Sequence, residues 1–284
     1  MSVEARPKSS TAVMVASYRA RATERHAGLC SDPWAASLAG DEGAALAQRF
    51  DAGFPHMELW IAVRTAYLDD KIRRLVAPPH DVRQVVILGA GLDTRAARLA
   101  RAGVRFFEVD QPATQADKLA RLRALAGYPI DAASYAACDF EHDDFLDRLV
   151  AAGFRTGEPA AILWEGVVPY LTEDAVRATL RRIASGCHPR STLVFDYLMR
   201  RMAEGTSVRP KDHEVRAQVS SYSEPVRFGT NDVLPMLYEE GFRHVRTISF
   251  DECCLTLTGT YAREREFRFQ HLALCSVTPP PRPT

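Results

Sequence analysis

The sequence predicts an α/β fold, a mostly parallel sheet with helices on both faces, from three observations. Downstream of Pro78-Pro79, short runs rich in β-branched residues alternate with helical stretches, the pattern left by strands joined through crossover helices. The first of those runs, Val85-Val86-Ile87-Leu88, leads straight into Gly89-Ala90-Gly91 and a helix start. Finally, 284 residues, 46% hydrophobic and 25% charged, suffice for one large domain whose core needs no disulfide or metal staple.

Taken in order, residues 1–80 read as a helical cap after a polar start. In Met57–Val76 the apolar positions Trp60, Val63, Tyr67, Leu68, Ile72 and Leu75 recur at helical spacing. Strands are expected at Gln84–Leu88, Arg105–Val109, Ala133–Cys138, Ala160–Trp164 and Thr192–Asp196, then at His244–Phe250 and Phe267–Val277. Asp93 can cap a helix over Thr94–Ala102 that Gly103 stops. Pro112 suits the first turn of a helix that buries Leu119, Leu122 and Leu125 and ends at Gly127. Thr172 can cap a third, with Glu173 and Asp174 in its positive first turn and Gly186 at its end. Asn231–Glu240 is another, closed by Gly241. The stretch Leu198–Phe228 fits no regular element and is too long for a plain connection, so it reads as a lid or an inserted helical piece. One domain over 1–284 follows: cap 1–80, core 81–197, lid 198–228, the rest of the sheet 229–277 and a proline-rich tail 278–284.

Lys plus Arg and Asp plus Glu both number 36, which argues against a dedicated nucleic-acid binder. No aromatics interleave with Arg177, Arg181, Arg182, Arg200 or Arg201, which read as exposed faces. No apolar run reaches membrane-spanning length, and Arg19 and Arg21 cut short the apolar stretch Thr11–Tyr18. Six cysteines with neither CxxC nor zinc spacing are expected as reduced thiols in a cytoplasmic protein without a metal.

Chemistry concentrates where the expected strands end. Gly89 and Gly91 let backbone approach a ligand, and the helix behind them favours groups that accept hydrogen bonds. Thr94 stands where a dinucleotide fingerprint has its third glycine, so plain packing of this turn stays open. Asp110, followed by Gln111, lies 19 residues after Gly91, close to the spacing at which a carboxylate accepts from ribose hydroxyls; helix capping is the plainer alternative. Asp139 and Phe140 can hold an adenine amino group and flank its ring, and Glu165 ends the fourth strand. Arg64 falls on the apolar face of its helix and needs an anion there: a structural carboxylate, or that of a ligand, unless it snorkels to the edge.

The runs LGAGLDTR, FFEVDQP and WEGVVPYLTEDAV, in that order, resemble the leucine carboxyl methyltransferase family and its bacterial polyketide O-methyltransferase relatives. The resemblance spans roughly residues 11–275, from Arg21-Ala22-Thr23-Glu24 to Glu224-Pro225-Val226-Arg227-Phe228-Gly229 and Gly241-Phe242. It implies a Rossmann-like class I methyltransferase fold, seven strands with one antiparallel, and S-adenosylmethionine as methyl donor, leaving S-adenosylhomocysteine. It further implies that Arg64 binds the methionine carboxylate, Gly89 and Gly91 form the cofactor turn, Asp110 meets the ribose, Asp139 and Phe140 the adenine, and Glu165 lies near the methionine amine, with Gln111 also expected among the cofactor-binding residues. The chain departs from the pattern at Val167-Val168-Pro169-Tyr170, where the family more usually has an aliphatic run before the tyrosine.

Substrate contacts are expected from Arg21, Tyr170 and His213, the last a base candidate or a solvated loop histidine. A carboxylate acceptor is ionised at pH 7 and needs no base, whereas a phenol benefits from one. The acceptor pocket is expected in Leu198–Phe228, where Met199, Met202, Val208, Val219 and Tyr222 supply apolar surface and Arg200, Arg209 and Arg216 charge. The favoured acceptor is a carboxylate of a small organic molecule, ahead of a protein carboxyl terminus or a hydroxyl. An NAD-dependent oxidoreductase and a non-catalytic nucleotide-binding domain are the rival classes.

Overall fold

The computed structural model describes residues 8–220, 225–259 and 268–279. Three helices come first: α1 (Ser10–Arg25), α2 (Ala35–Asp51) and α3 (Met57–Leu75). Strands then alternate with helices: β1 (Gln84–Leu88), α4 (Arg95–Arg98), β2 (Arg105–Asp110), α5 (Pro112–Arg123), β3 (Ala133–Ala137), α6 (Phe145–Ala151), β4 (Ala160–Trp164), α7 (Glu173–Gly186) and β5 (Thr192–Leu198). The chain continues through α8 (Arg200–Glu204), α9 (Pro210–Ser220), α10 (Leu234–Glu239), β6 (His244–Ser249), α11 (Phe250–Thr258) and β7 (Gln270–Ser276). The sheet order is β3-β2-β1-β4-β5-β7-β6, with β7 antiparallel to both neighbours and the remaining pairs parallel, as expected for a class I methyltransferase sheet.

Successive side chains of the central strands fill opposite cores, which is why these strands read as unbroken apolar runs. Val85 and Ile87 join α1, α2, α3 and α11 on one face, while Val86 and Leu88 join α6, α7 and α10 on the other. Trp60 of α3 meets Phe250 of α11 edge-on, with ring centres 5.0 Å apart. All six cysteines are free and buried; burial pushes the thiols of Cys138, Cys187 and Cys253 up to about 12. Among the described residues no helix is long and apolar enough to cross a membrane.

Several boundaries differ from expectation. The helix expected over Thr94–Ala102 is the single turn α4, with Asp93 Oδ1 accepting from Arg95 N at 2.6 Å. Helix α5 stops at Arg123, short of Gly127. Helix α10 starts at Leu234 rather than Asn231, because Pro235 belongs in a first turn and Asp232 Oδ1 accepts from Leu234 N at 2.9 Å. Helix α11 was not expected at all: Ser249 and Glu252 form a capping box that ends β6 one residue before Phe250. The lid holds α8 and α9, while Leu198 continues β5 and Met202 and Phe228 are buried in the core. Phe267, Tyr222, Glu224 and the tail prolines from Pro280 onward lie outside the described residues, as does the start of the chain through Pro7.

Candidate functional site

A cavity of about 520 Å³ lies over the carboxyl ends of β1, β2 and β4, where strand order reverses between β1 and β4. Its floor is the turn Gly89-Ala90-Gly91 after β1. Gly89 has φ +66°, and a Cβ there would stand 2.1 Å from Val167 Cγ2, so only glycine lets the turn lie flat. Asp110 at the end of β2 reaches back to that floor: Oδ2 accepts from Gly91 N, and Oδ1 accepts from Gln111 N at 2.6 Å. Phe140, Glu165, Gly166, Val167 and Tyr170 supply the wall after β3 and β4. Helix α3 contributes Arg64, and α1 covers the opening with Ala12, Val15 and Arg19.

Behind these walls runs a connected set of buried ion pairs. Arg64 pairs through Nε with Glu165 at 2.6 Å and through Nη1 with Asp196 at 3.0 Å. Glu165 also meets Arg95 at 2.6 Å; Arg95 reaches Asp69 at 2.7 Å and Asp93. Arg98 joins Asp69 at 2.5 Å, and Arg19 joins Asp32 at 2.9 Å and donates to Leu92 O. Five carboxylates thus meet the four guanidiniums of Arg19, Arg64, Arg95 and Arg98. Beneath the turn, Lys118 Nζ pairs with Glu108 and donates to Asp93 O at 2.6 Å.

These pairs set the pH response. Burial opposes ionisation of Asp93, but Arg95, Arg19, Lys118 and Arg98 outweigh it and bring its carboxyl to about 2. Asp32 and Glu165 are likewise held below the usual range: burial opposes, and Arg19 with Arg98, or Arg95 with Arg64, prevail. A depressed folded-state pKa contributes stability above the unfolded value, lost as pH falls toward the folded one. Between pH 5 and 2 Asp93 alone should cost about 2 kcal/mol, and urea midpoints across that range should show a slope that Asp93→Asn flattens. An unchanged slope in that variant would place the acid sensitivity elsewhere. Glu108 acts with the opposite sign: burial pushes its carboxyl up to about 7 despite Lys118, so its penalty sets in as pH rises from 4.5 toward 7.

The structure brings Arg64, Gly89, Gly91, Asp110, Gln111, Phe140, Glu165 and Tyr170 to this one cavity. Asp139 does not line it; its Oδ1 accepts from Glu141 N at 3.0 Å in the turn that presents Phe140. Arg21 points away, paired with Asp51 at 2.8 Å and Glu58 at 2.9 Å. Arg19 faces the cavity instead, and sequence reasoning missed it, although Ala12, Val15 and Arg19 at helical spacing mark one face of α1. His213 is exposed on α9, its Nε2 2.6 Å from Ser207 O, and does not line the cavity. Neither do Met199, Met202, Val208, Arg200, Arg209 and Arg216: Met202 is core and Val208 is 96% exposed. From the lid segment, Pro225 and Arg227 reach the cavity.

Residues 12–184 match the leucine carboxyl methyltransferase family. A provisionally named S-adenosyl-L-methionine-dependent methyltransferase of Streptomyces coelicolor is 38% identical over 213 residues, 69% of this chain and 72% of the relative. Another so named, from Mycobacterium avium, is 32% identical over 259 residues, 84% of this chain and 83% of the relative. Two crystal structures share the fold at 14% identity. One, provisionally named a methyltransferase, is from Thermobifida fusca, with a TM-score of 0.66 over 95% of each chain. The other is a DUF574 family protein from Streptomyces avermitilis, with a TM-score of 0.65 over 93% of this chain and 96% of that one. The chain belongs to the leucine carboxyl methyltransferase family, a family of S-adenosylmethionine-dependent methyltransferases.

Proposed function

We propose that the chain is an O-methyltransferase that moves the methyl group of S-adenosylmethionine to a carboxylate of a small organic molecule. The observation that carries the donor assignment is the convergence of Arg64, Glu165, Asp110, Phe140 and the bare turn Gly89–Gly91 on one cavity. The donor set fits this cofactor part by part. Arg64 offers a cation to a ligand carboxylate and Glu165 an anion to its amine. Asp110, 19 residues after Gly91 at the end of β2, offers a carboxylate to the ribose hydroxyls, and Phe140 an aromatic face for the base. When bound, S-adenosylmethionine supplies a methyl group already activated for displacement.

The residues then have to align the two partners at about 3 Å and keep water out. Helix α1 covers the donor side through Ala12 and Val15, while Tyr170 and Arg227 stand on the acceptor side. Arg227 sits half exposed at the rim, its Nη1 3.5 Å from Glu141, and offers a cation to an acid substrate. A carboxylate arrives ionised and needs no general base.

Calorimetry tests the donor. S-adenosylmethionine and S-adenosylhomocysteine should bind, and either at 100 times its dissociation constant should stabilise the chain by about 2.7 kcal/mol. Arg64→Met and Asp110→Ala, both folded, should each weaken that binding by about 1.5–3 kcal/mol. Binding of NAD with neither of these ligands would sink the reading. Carboxyl methylation is read from the product: mild alkali releases volatile methanol from a methyl ester, and an alkali-stable product would move the acceptor to a hydroxyl.

A further inference from the structure

Asp196 lies on β5, does not line the cavity and is almost fully buried, yet both its oxygens point at walls of the site. Oδ1 accepts from Gly166 N at 2.6 Å, and Oδ2 accepts from Arg64 Nη1 at 3.0 Å. One carboxylate thus ties a side chain of α3 to the turn after β4. A charge in the middle of a sheet is costly, and packing alone would prefer an apolar residue there, as at the neighbouring positions Val194 and Phe195. Glu165 cannot hold Arg64 unaided, because it is shared with Arg95, and a guanidinium drawn toward Glu165 alone moves toward a like charge. Asp196 pulls from the other side, and the Trp60 ring, 5.4 Å from the guanidinium carbon, supports the guanidinium.

We propose that Asp196 is a positioning residue for the amino-acid end of the cofactor: it holds Arg64 where the guanidinium meets the ligand carboxylate. This rests on the reading that the cavity takes S-adenosylmethionine. The test compares two ligands. S-adenosylhomocysteine carries the amino-acid end, whereas 5′-methylthioadenosine keeps the nucleoside and the sulfur and lacks that end. Asp196→Asn retains an acceptor for Gly166 N and removes the charge facing Arg64. It should weaken S-adenosylhomocysteine about tenfold or more and leave 5′-methylthioadenosine unchanged. In an Arg64→Met background the same substitution should add less than about twofold, since the effect passes through Arg64. Unchanged S-adenosylhomocysteine affinity, or equal loss of both ligands, would overturn the proposal. A wild-type chain that binds 5′-methylthioadenosine and S-adenosylhomocysteine equally would also overturn it; one that binds neither removes the cofactor reading itself. If Asp196→Asn does not fold, Asp196→Ser, smaller and with a hydroxyl, is read by the same comparison.

Discussion

Arg95→Met should cost about 3–5 kcal/mol of folding stability, the largest loss expected from any single charge among the described residues. Arg95 is 2% exposed and bridges Asp69, Asp93 and Glu165. Methionine fills most of the volume but leaves three buried carboxylates sharing one fewer cation. The carboxyls of Asp93 and Glu165 lose the cation that lowers them most and move up, so the variant should lose more stability than wild type on going from pH 5 to pH 8. Adding Asp93→Asn should restore part of the loss, because one orphaned charge goes with it. Urea unfolding of the single and double variants measures both effects. A loss below about 1 kcal/mol would mean that solvent reaches the network and screens it.

The second large effect falls on ligand affinity. Gly89→Ala should weaken S-adenosylhomocysteine by a factor of about 100 or more while the chain stays folded. Two penalties coincide at that position: φ of +66° and a methyl placed 2.1 Å from Val167 Cγ2. Valine is stiff at χ1, so the turn itself must move, and it carries Gly91 and the Asp110 contact with it. Gly127→Ala is the matched control. It shares a positive φ of +79° with nothing within 4 Å of the added methyl, and it lies away from the cavity. It should cost about 1 kcal/mol of stability and leave titration calorimetry with S-adenosylhomocysteine unchanged. Equal affinity losses in both variants would trace the effect to general strain rather than to the turn.

Much of this architecture was legible in the residues. Parallel strands buried on both faces leave apolar runs, and the strand after each crossover stood where those runs ended, with Gln84–Leu88 and Ala160–Trp164 matching to the residue. The cavity-lining acids Asp110 and Glu165 were legible because strand ends in such sheets converge on one crevice. What was not legible depended on neighbours in space. Arg19 and Arg21 are two positions apart on one helix and so face nearly opposite ways; which face meets the cavity is decided by packing against α2 and α3, which spacing alone does not reveal. Asp196 reads as one polar residue within an apolar strand, and its partner is 132 positions away. The Ser249-Phe250-Asp251-Glu252 signature was present but masked, because the apolar Phe250 also extends the preceding strand.

Helix α1 reaches across the cavity with Ala12, Val15 and Arg19, and Arg19 fastens it to Leu92 beside the glycine turn. A ligand under that helix and the helix itself are consequently partners in a thermodynamic cycle. Whatever factor docked α1 adds to ligand affinity, bound ligand must return to the docking of α1. Proteases that cut within residues 10–25 should therefore be slowed by S-adenosylhomocysteine in proportion to its occupancy. A fusion or truncation that loosens this helix should appear in the binding constant before it appears in the melting temperature.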